Sequence, residues 1–499
     1  MKMMSQNESN LTLPSLTSVK SGVMMTLICA MCLGLPLLIG FASAKLSSSS
    51  SLQGVILAGI LFPAFLLALL KPKHLIAYTL LIWAVAPELR RIADWYEGVY
   101  HSVSLLSLAP LLTGATLAIP VLKEIHRIRK SSTRIILLFS VALAYGALIG
   151  LAKNGIGSVY DLANYIVPLL LIPFFAVTRF KPKDIDRLLY AFANIAVLVA
   201  IYGIIQYLTV PPWDAFWMRN ADMMSIGTPY PLEIRVFSTL NSPGPAATFL
   251  VFALVPMILE KRWQGTLRWI GVLLVVVCLL TTLVRSAWLV LLVMLLVYIA
   301  SSPSKGKWKT LLQLGFVAVA LIWIVPKLPG AEGLVARMET LTSVQEDHSY
   351  NERLSLWQNM LPMVAANPVG QGIGSVGQGT KIGNGGELGE YGNMDNGVIA
   401  LLLTFGVLGA LFFFGALGAV IKQIVVRVTS KDSLQPYARL SLAAWMGAVV
   451  SLVSDNGFPG LKGYLIWMLI GLGLSAKEII ESRKKGTPHA AVEREITSH

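Results

Sequence analysis

Four charged residues stand beside or within apolar and amphipathic stretches, where a charge is both costly and useful. Arg235 lies in Glu233-Ile234-Arg235-Val236-Phe237-Ser238, just before Asn241-Ser242-Pro243 and a long apolar stretch. Arg285 lies in Thr282-Leu283-Val284-Arg285-Ser286-Ala287, with apolar sequence on both sides. Arg353 follows Asn351-Glu352 and precedes Trp357. Asp395 leads Asn396-Gly397 into a further apolar run. A guanidinium is always charged and offers a planar fork of donors, which suits a diphosphate. A carboxylate at a helix mouth can accept a proton from a hydroxyl. Each residue also has a plainer reading. The arginines would pair with lipid headgroups or with Glu233 and Glu352, and Asp395 would cap its helix. A charge within the membrane costs about 2.5 kcal/mol or more, so Arg285 should face a polar cavity or the outer interface.

Around these residues lie weaker signals. Leu354, Trp357, Leu361 and Val364 recur at helical spacing, and Pro368 should end that helix. An amphipathic helix of this kind is expected to lie on the outer membrane surface. Gly370-Gln371-Gly372-Ile373-Gly374 superficially resembles a phosphate loop. It follows a helix, not a strand, and no Gly-Lys-Ser/Thr comes after it. Its glycines are better read as a tight backbone path over a cavity mouth. His348 reads as a solvated loop residue. Asp455 and Asn456 stand at another outer span end. Cys29, Cys32 and Cys278 lie in apolar runs and read as packing residues, so no structural metal is indicated.

The elements that position these residues are membrane helices. The chain has 499 residues, 55% hydrophobic and 13% charged, with a mean hydropathy of +0.68. Soluble domains run at roughly 45–50% and 25%. That excludes a cytosolic globular protein, a disordered chain and a secreted disulfide scaffold. Apolar runs long enough to cross a bilayer fall at 21–43, 52–70, 103–122, 134–152, 160–178, 187–209, 244–259, 310–326, 396–420, 438–454 and 463–477. The segment 74–88 is shorter. The stretch 268–301 is too long for one span, and parity asks for two, reversing near Arg285. The expected fold is an all-α polytopic bundle of 12–14 transmembrane helices with both termini cytoplasmic. The net charge of +14 then follows the positive-inside rule and does not indicate nucleic acid. Ala42-Ser43-Ala44 resembles a signal-peptidase site, but an uncleaved first span fits the parity better. Two outside segments, 210–243 and 327–395, are too long for turns and should carry the chemistry.

Taken in order, these pieces resemble the bacterial O-antigen ligase and polymerase family. The resemblance rests on Arg235-Val236-Phe237-Ser238 with Asn241-Ser242-Pro243, and on Thr282-Leu283-Val284-Arg285-Ser286-Ala287. It continues through Arg353-Leu354-Ser355-Leu356-Trp357, running to Gly370-Gln371-Gly372-Ile373-Gly374. It ends with Asp395-Asn396-Gly397 and Phe405-Gly406-Val407-Leu408-Gly409. It covers roughly residues 190–420. The resemblance implies a GT-C-like membrane fold and transfer of a glycan from undecaprenyl diphosphate to an acceptor at the periplasmic face of the inner membrane. It implies neither nucleotide sugar nor metal nor other cofactor. It assigns Arg235, Arg285 and Arg353 to the diphosphate, with Asp395 at the junction that activates the acceptor. Asn241, Trp357 and Asn396 join the substrate-binding set. Membrane lipid, a flippase and a chain-length regulator are the implied partners. Ligases of the family carry a histidine where Asp395 stands, and that departure favours a polymerase.

The expected organisation is an N-terminal bundle (1–209), a ligase/polymerase-like region with both long loops (210–420), C-terminal helices (421–477) and a cytoplasmic tail (478–499). Three other functions remain open: an O-antigen ligase, a transporter of inorganic carbon or another small solute, and a flippase for lipid-linked glycan. Scarce intramembrane acidic residues and the lack of a legible inverted repeat count against the transporter. The long outside loop counts against the flippase.

Overall fold

The computed structural model describes residues 49–128, 130–221, 226–303, 315, 355, 358–362, 364–392, 394–429 and 434–485. Spans 21–43 and 310–326, Cys29, Cys32, His348, Arg353 and Trp357 lie outside them. Among the described residues the chain is helical, with a single isolated β-bridge, Gly227 to Ile234. Six helices are long and apolar enough to cross a membrane, and four shorter apolar ones accompany them. The protein is an all-α polytopic membrane bundle.

The first helices are α1 (Ser49–Leu70) and α2 (Pro72–Glu97). Pro72 at the first turn and Gly98 in the left-handed region bound α2. The helix is therefore longer than its apolar segment 74–88, and its last turns carry Glu88, Arg90, Arg91 and Asp94. The run 103–122 is not one smooth helix. A 3₁₀ turn at Leu105–Leu108 leads into α3 (Ala109–Ala115) and α4 (Ala118–Lys123). Pro120 has no amide for the carbonyl one turn back, which breaks the rod there. Next come α5 (Lys130–Asn154), α6 (Ile156–Leu169), α7 (Leu171–Thr178), α8 (Pro182–Thr209) and the short α9 (Pro212–Asn220). Then follow α10 (Pro243–Leu259), α11 (Arg268–Thr281) and α12 (Arg285–Ala300). The stretch 268–301 divides just before Arg285 into two helices, α11 and α12, joined by 282–284.

Near the C-terminal end stand α13 (Thr380–Gly383), α14 (Gly397–Val428), α15 (Gln435–Ser451) and α16 (Gly460–Lys485). A helix apolar on all sides belongs in the middle of a bundle. Accordingly Tyr464, Leu465, Ile466, Trp467, Met468, Leu469 and Ile470 of α16 are all buried, and the helix packs against α6, α7, α10 and α15. The equivalent middle of α10, from Phe249 to Val255, is also buried.

The segment 368–374 does not pass over a cavity mouth; it threads between helices. Its amides bond to carbonyls of other elements: Gln371 to Leu403 at 2.7 Å and Ile373 to Gly146 at 2.9 Å. Asn154 Nδ2 donates to the Gln371 and Ile373 carbonyls at 3.0 Å each, and Ser158 Oγ to Ile373 at 2.8 Å. Helix α14 opens to admit this chain. Gly406 leaves helical geometry at φ 59° and ψ −175°, and the Val407 amide donates to the Pro368 carbonyl at 2.8 Å. Gly372 sits at φ +85°, where a Cβ would overlap the backbone of Gly150. Non-helical backbone at membrane depth survives only where protein supplies its hydrogen bonds, and α5, α6 and α14 do so here. The helix before it also behaves differently from expectation. Val364 is buried against Ile399 and Leu403 of α14, while Leu361 is exposed. On this evidence of packing, its apolar face serves α14 as well as any lipid surface.

Candidate active site

Arg235 belongs to a segment that enters the bundle and is not a free surface loop. Val236, Phe237, Ser238 and Leu240 are buried. Gln206 of α8 holds this segment, its Oε1 accepting from the Phe237 amide at 3.2 Å and the Ser238 amide at 2.8 Å. The Val236 amide donates to the Thr281 carbonyl at 3.1 Å. Arg235 Nε donates to the Thr282 carbonyl at 3.3 Å. Arg235 is thereby docked on the turn that precedes Arg285. Two of the sequence-derived arginines thus share one corner, although they are separated by two helices in the chain.

Both chain segments at that corner are strained. Ser238 has φ 52° and Leu283 has φ 56°, values that cost a non-glycine residue free energy. Ser238 is held there by Oγ donating to the Val199 carbonyl at 2.6 Å and by Gln206. Such strain persists only where the surroundings over-determine it, and it concentrates at working sites.

Behind Ser238 lies a buried ionic network. Arg91 of α2, 1% exposed, donates to the carbonyls of Ser238 at 2.5 Å and Leu240 at 2.6 Å. It also pairs with Glu88 and, at 2.7 Å, with Asp214 of α9. Asp214 accepts from Tyr202 at 2.7 Å and from Gln206 at 2.8 Å. Trp213 Nε1 donates to Glu88 at 2.6 Å. Burying a charge is costly unless it is paired and hydrogen-bonded, and here Glu88 and Asp214 share the Arg91 guanidinium while Tyr202, Gln206 and Trp213 donate to them. Sequence reading singled out neither Arg91 nor Asp214. The signal available was an Arg–Glu pair three residues apart just past the apolar stretch of α2.

Close to the 282–285 turn is a cavity of about 140 Å³. Val284, Ser286 and Ala287 form one wall, with Gly244 and Thr248 of α10 beside them. Asp395, Asp455 and Lys462 provide charge, and Ser451 and Ser454 provide hydroxyls. Val251, Phe252, Val290 and Ile466 make the apolar part. Lys462 and Asp455 form an ion pair. Asp455 was a sequence candidate, whereas Lys462 was missed because Gly460-Leu461-Lys462-Gly463 reads as an ordinary charged flank.

Asp395 and Asn396 have different roles. The cap of α14 is Asn396, whose Oδ1 accepts from the Ile399 amide at 3.0 Å. The capping expected of Asp395 thus falls to its neighbour, leaving the Asp395 side chain beside the cavity. Asn396 is fully buried, which suits a cap better than a ligand. Asn241 is exposed just before Ser242 and the start of α10, so it does not line the cavity. The junction is fixed from below, since the Gly397 amide donates to the Leu452 carbonyl at 2.8 Å. Asn456 braces the same turn, donating to the Tyr165 hydroxyl at 2.6 Å.

Residues 270–414 match the family model described as O-antigen ligase. That stretch is an O-antigen ligase family domain. Arg285 and Asp395 fall inside the ligase-family domain, as do the 368–374 insertion and the break at Gly406. Arg235, Asp455 and Lys462 lie outside it but meet it in space. The family carries glycan transfer of the O-antigen ligase/polymerase type, and that general function holds for this multi-pass membrane chain. No curated protein matches the sequence.

Proposed function

We propose that the chain is a polysaccharide polymerase. It moves a glycan from undecaprenyl diphosphate onto an acceptor glycan at the periplasmic face of the inner membrane, in O-antigen, capsule or exopolysaccharide synthesis. The observation that carries this reading is the cavity lined by Asp395, the Lys462–Asp455 pair and Val284, Ser286 and Ala287, with Arg235 docked on the Thr282 carbonyl just before that wall. The acceptor hydroxyl oxygen attacks the anomeric carbon of the donor. The bond from that carbon to the diphosphate breaks, and its electron pair leaves with the diphosphate. Asp395 takes the hydroxyl proton. Charge grows on the leaving diphosphate, and preorganised cations there lower the barrier. Arg235 and Arg285 supply them in place of a metal, with Arg353 as a third. Holding both glycans at one site removes the entropic cost of their encounter. Lys462 brings a compensating cation to the Asp395 and Asp455 carboxylates that line the same cavity. An aspartate, and no histidine, at the Asp395 position supports polymerase over ligase. The four-part organisation with its two long outside loops, and the cytoplasmic placing of both termini, belong to the same proposal.

The test is a glycan gel from a deletion strain complemented with wild-type, Asp395→Ala or Arg285→Ala protein, with membrane levels checked by immunoblot. Single repeat units in the deletion strain, and no ladder with either variant, are expected. A full ladder from both variants at normal protein levels would overturn the assignment. In proteoliposomes, elongation of lipid-linked repeat units marks a polymerase, whereas a change of sidedness alone marks a flippase.

A further inference from the structure

A second cavity, of about 370 Å³, lies between the α1–α2 turn, α4 and the end of α7. Helix α2 spans 26 residues, about 39 Å at 1.5 Å per residue. Its far end carries Arg91, which holds the segment behind the candidate active site. The second cavity therefore opens at the opposite membrane face, which is the cytoplasmic one in the positive-inside orientation.

Lys71, Lys73 and Arg127 bring three permanent charges to its wall, against the single carboxylate of Glu124. Two of the cations are engaged, Lys73 with Asp184 at 2.6 Å and Arg127 with Glu124 at 2.9 Å. Lys71 makes no ion pair among the described residues. It precedes the first turn of α2 without capping it, so the positive end of that helix adds to the field. Leu70 and Pro120 provide an apolar edge, and Leu69, Leu70 and Leu122 are exposed next to it.

We propose that this cavity binds the phosphate of an anionic phospholipid from the cytoplasmic leaflet. The cations take the phosphate, and the acyl chains lie along the exposed leucines. A free phosphate shares the first half of that chemistry but not the second. Clusters of basic residues at the cytoplasmic surface attract anionic lipid by a comparable increment for each cation, equivalent to about fivefold in affinity.

The experiment uses full-length protein, delipidated in detergent. Phosphatidylglycerol, phosphatidylcholine or inorganic phosphate is added, and binding is read by native mass spectrometry and thermal unfolding. Lys71→Gln and Arg127→Gln should each weaken phosphatidylglycerol binding about fivefold. Lys71 makes no ion pair among the described residues, so its variant should keep the fold. Lys183→Gln, an exposed cation outside the cavity, should leave binding unchanged. Phosphatidylcholine and inorganic phosphate should bind weakly. The proposal is overturned if Lys183→Gln costs as much as Lys71→Gln. It is equally overturned if phosphatidylcholine or inorganic phosphate protects as well as phosphatidylglycerol.

Discussion

Removing Arg91 should loosen the whole outer corner of the bundle. Its guanidinium serves two carboxylates and two carbonyls from three separate segments. Asp214 is 0% exposed and Glu88 is 7% exposed. Arg91→Met keeps the aliphatic stem but strands both carboxylates away from water. Breaking a buried pair from one side costs about 3–5 kcal/mol. Against a typical stability of about 5–15 kcal/mol, that is a large fraction. Removing the negative charge as well, in Glu88→Gln/Arg91→Met/Asp214→Asn, should restore most of the loss, since a neutral set carries no uncompensated charge. Chemical denaturation of purified protein in detergent gives the stability. Protease cleavage between α9 and α10 reports the local loosening, and the glycan ladder reports the site. A cost below about 1 kcal/mol for Arg91→Met, or no recovery in the triple variant, would refute the argument that the network holds the Ser238 segment by charge compensation.

Three further outcomes follow from the geometry. Gly372→Ala places a Cβ against the Gly150 backbone at φ +85°; strain alone costs about 1–3 kcal/mol, so cleavage at Lys381 should rise and the ladder should vanish. Asn396→Ala should cost about 1 kcal/mol as a lost cap yet leave polymer on the gel, whereas a direct substrate contact would abolish polymer at unchanged stability. Lys462→Met should remove polymer while protein still reaches the membrane, because it leaves Asp455 and Asp395 facing one cavity without their cation; Lys462→Arg should retain part of the activity, and a full ladder from Lys462→Met would sink the role given to this lysine.

The membrane helices were legible because twenty apolar residues have few other uses, and the division of 268–301 into two helices followed from its length and from charge on both flanks. Arg285 was visible because a charge inside a long apolar stretch is rare, and Asp395 because it stands at the mouth of an apolar run. The docking of Arg235 and Val236 on the Thr282 and Thr281 carbonyls was not, since it joins segments separated by two helices and leaves no periodic trace. The confusion of Asp395 with the cap arose because Asp and Asn both favour that position, and only geometry shows which of two neighbours occupies it. Lys462 escaped notice because a lysine before a span usually meets water, whereas here the α15–α16 turn folds it against Asp455. The 370–374 glycines were visible, but their partners on α5, α6 and α14 were not.

The crossing of 368–374 with the break at Gly406 also orders events in time. This chain segment finds its hydrogen-bond partners on Gly146, Asn154, Ser158 and Leu403, which the ribosome delivers both before and after it. It cannot settle while α14 is still being made, and α14 cannot complete its bend at Gly406 without it. Closing this seam therefore joins one stretch of chain both to helices made well before it and to one made after it.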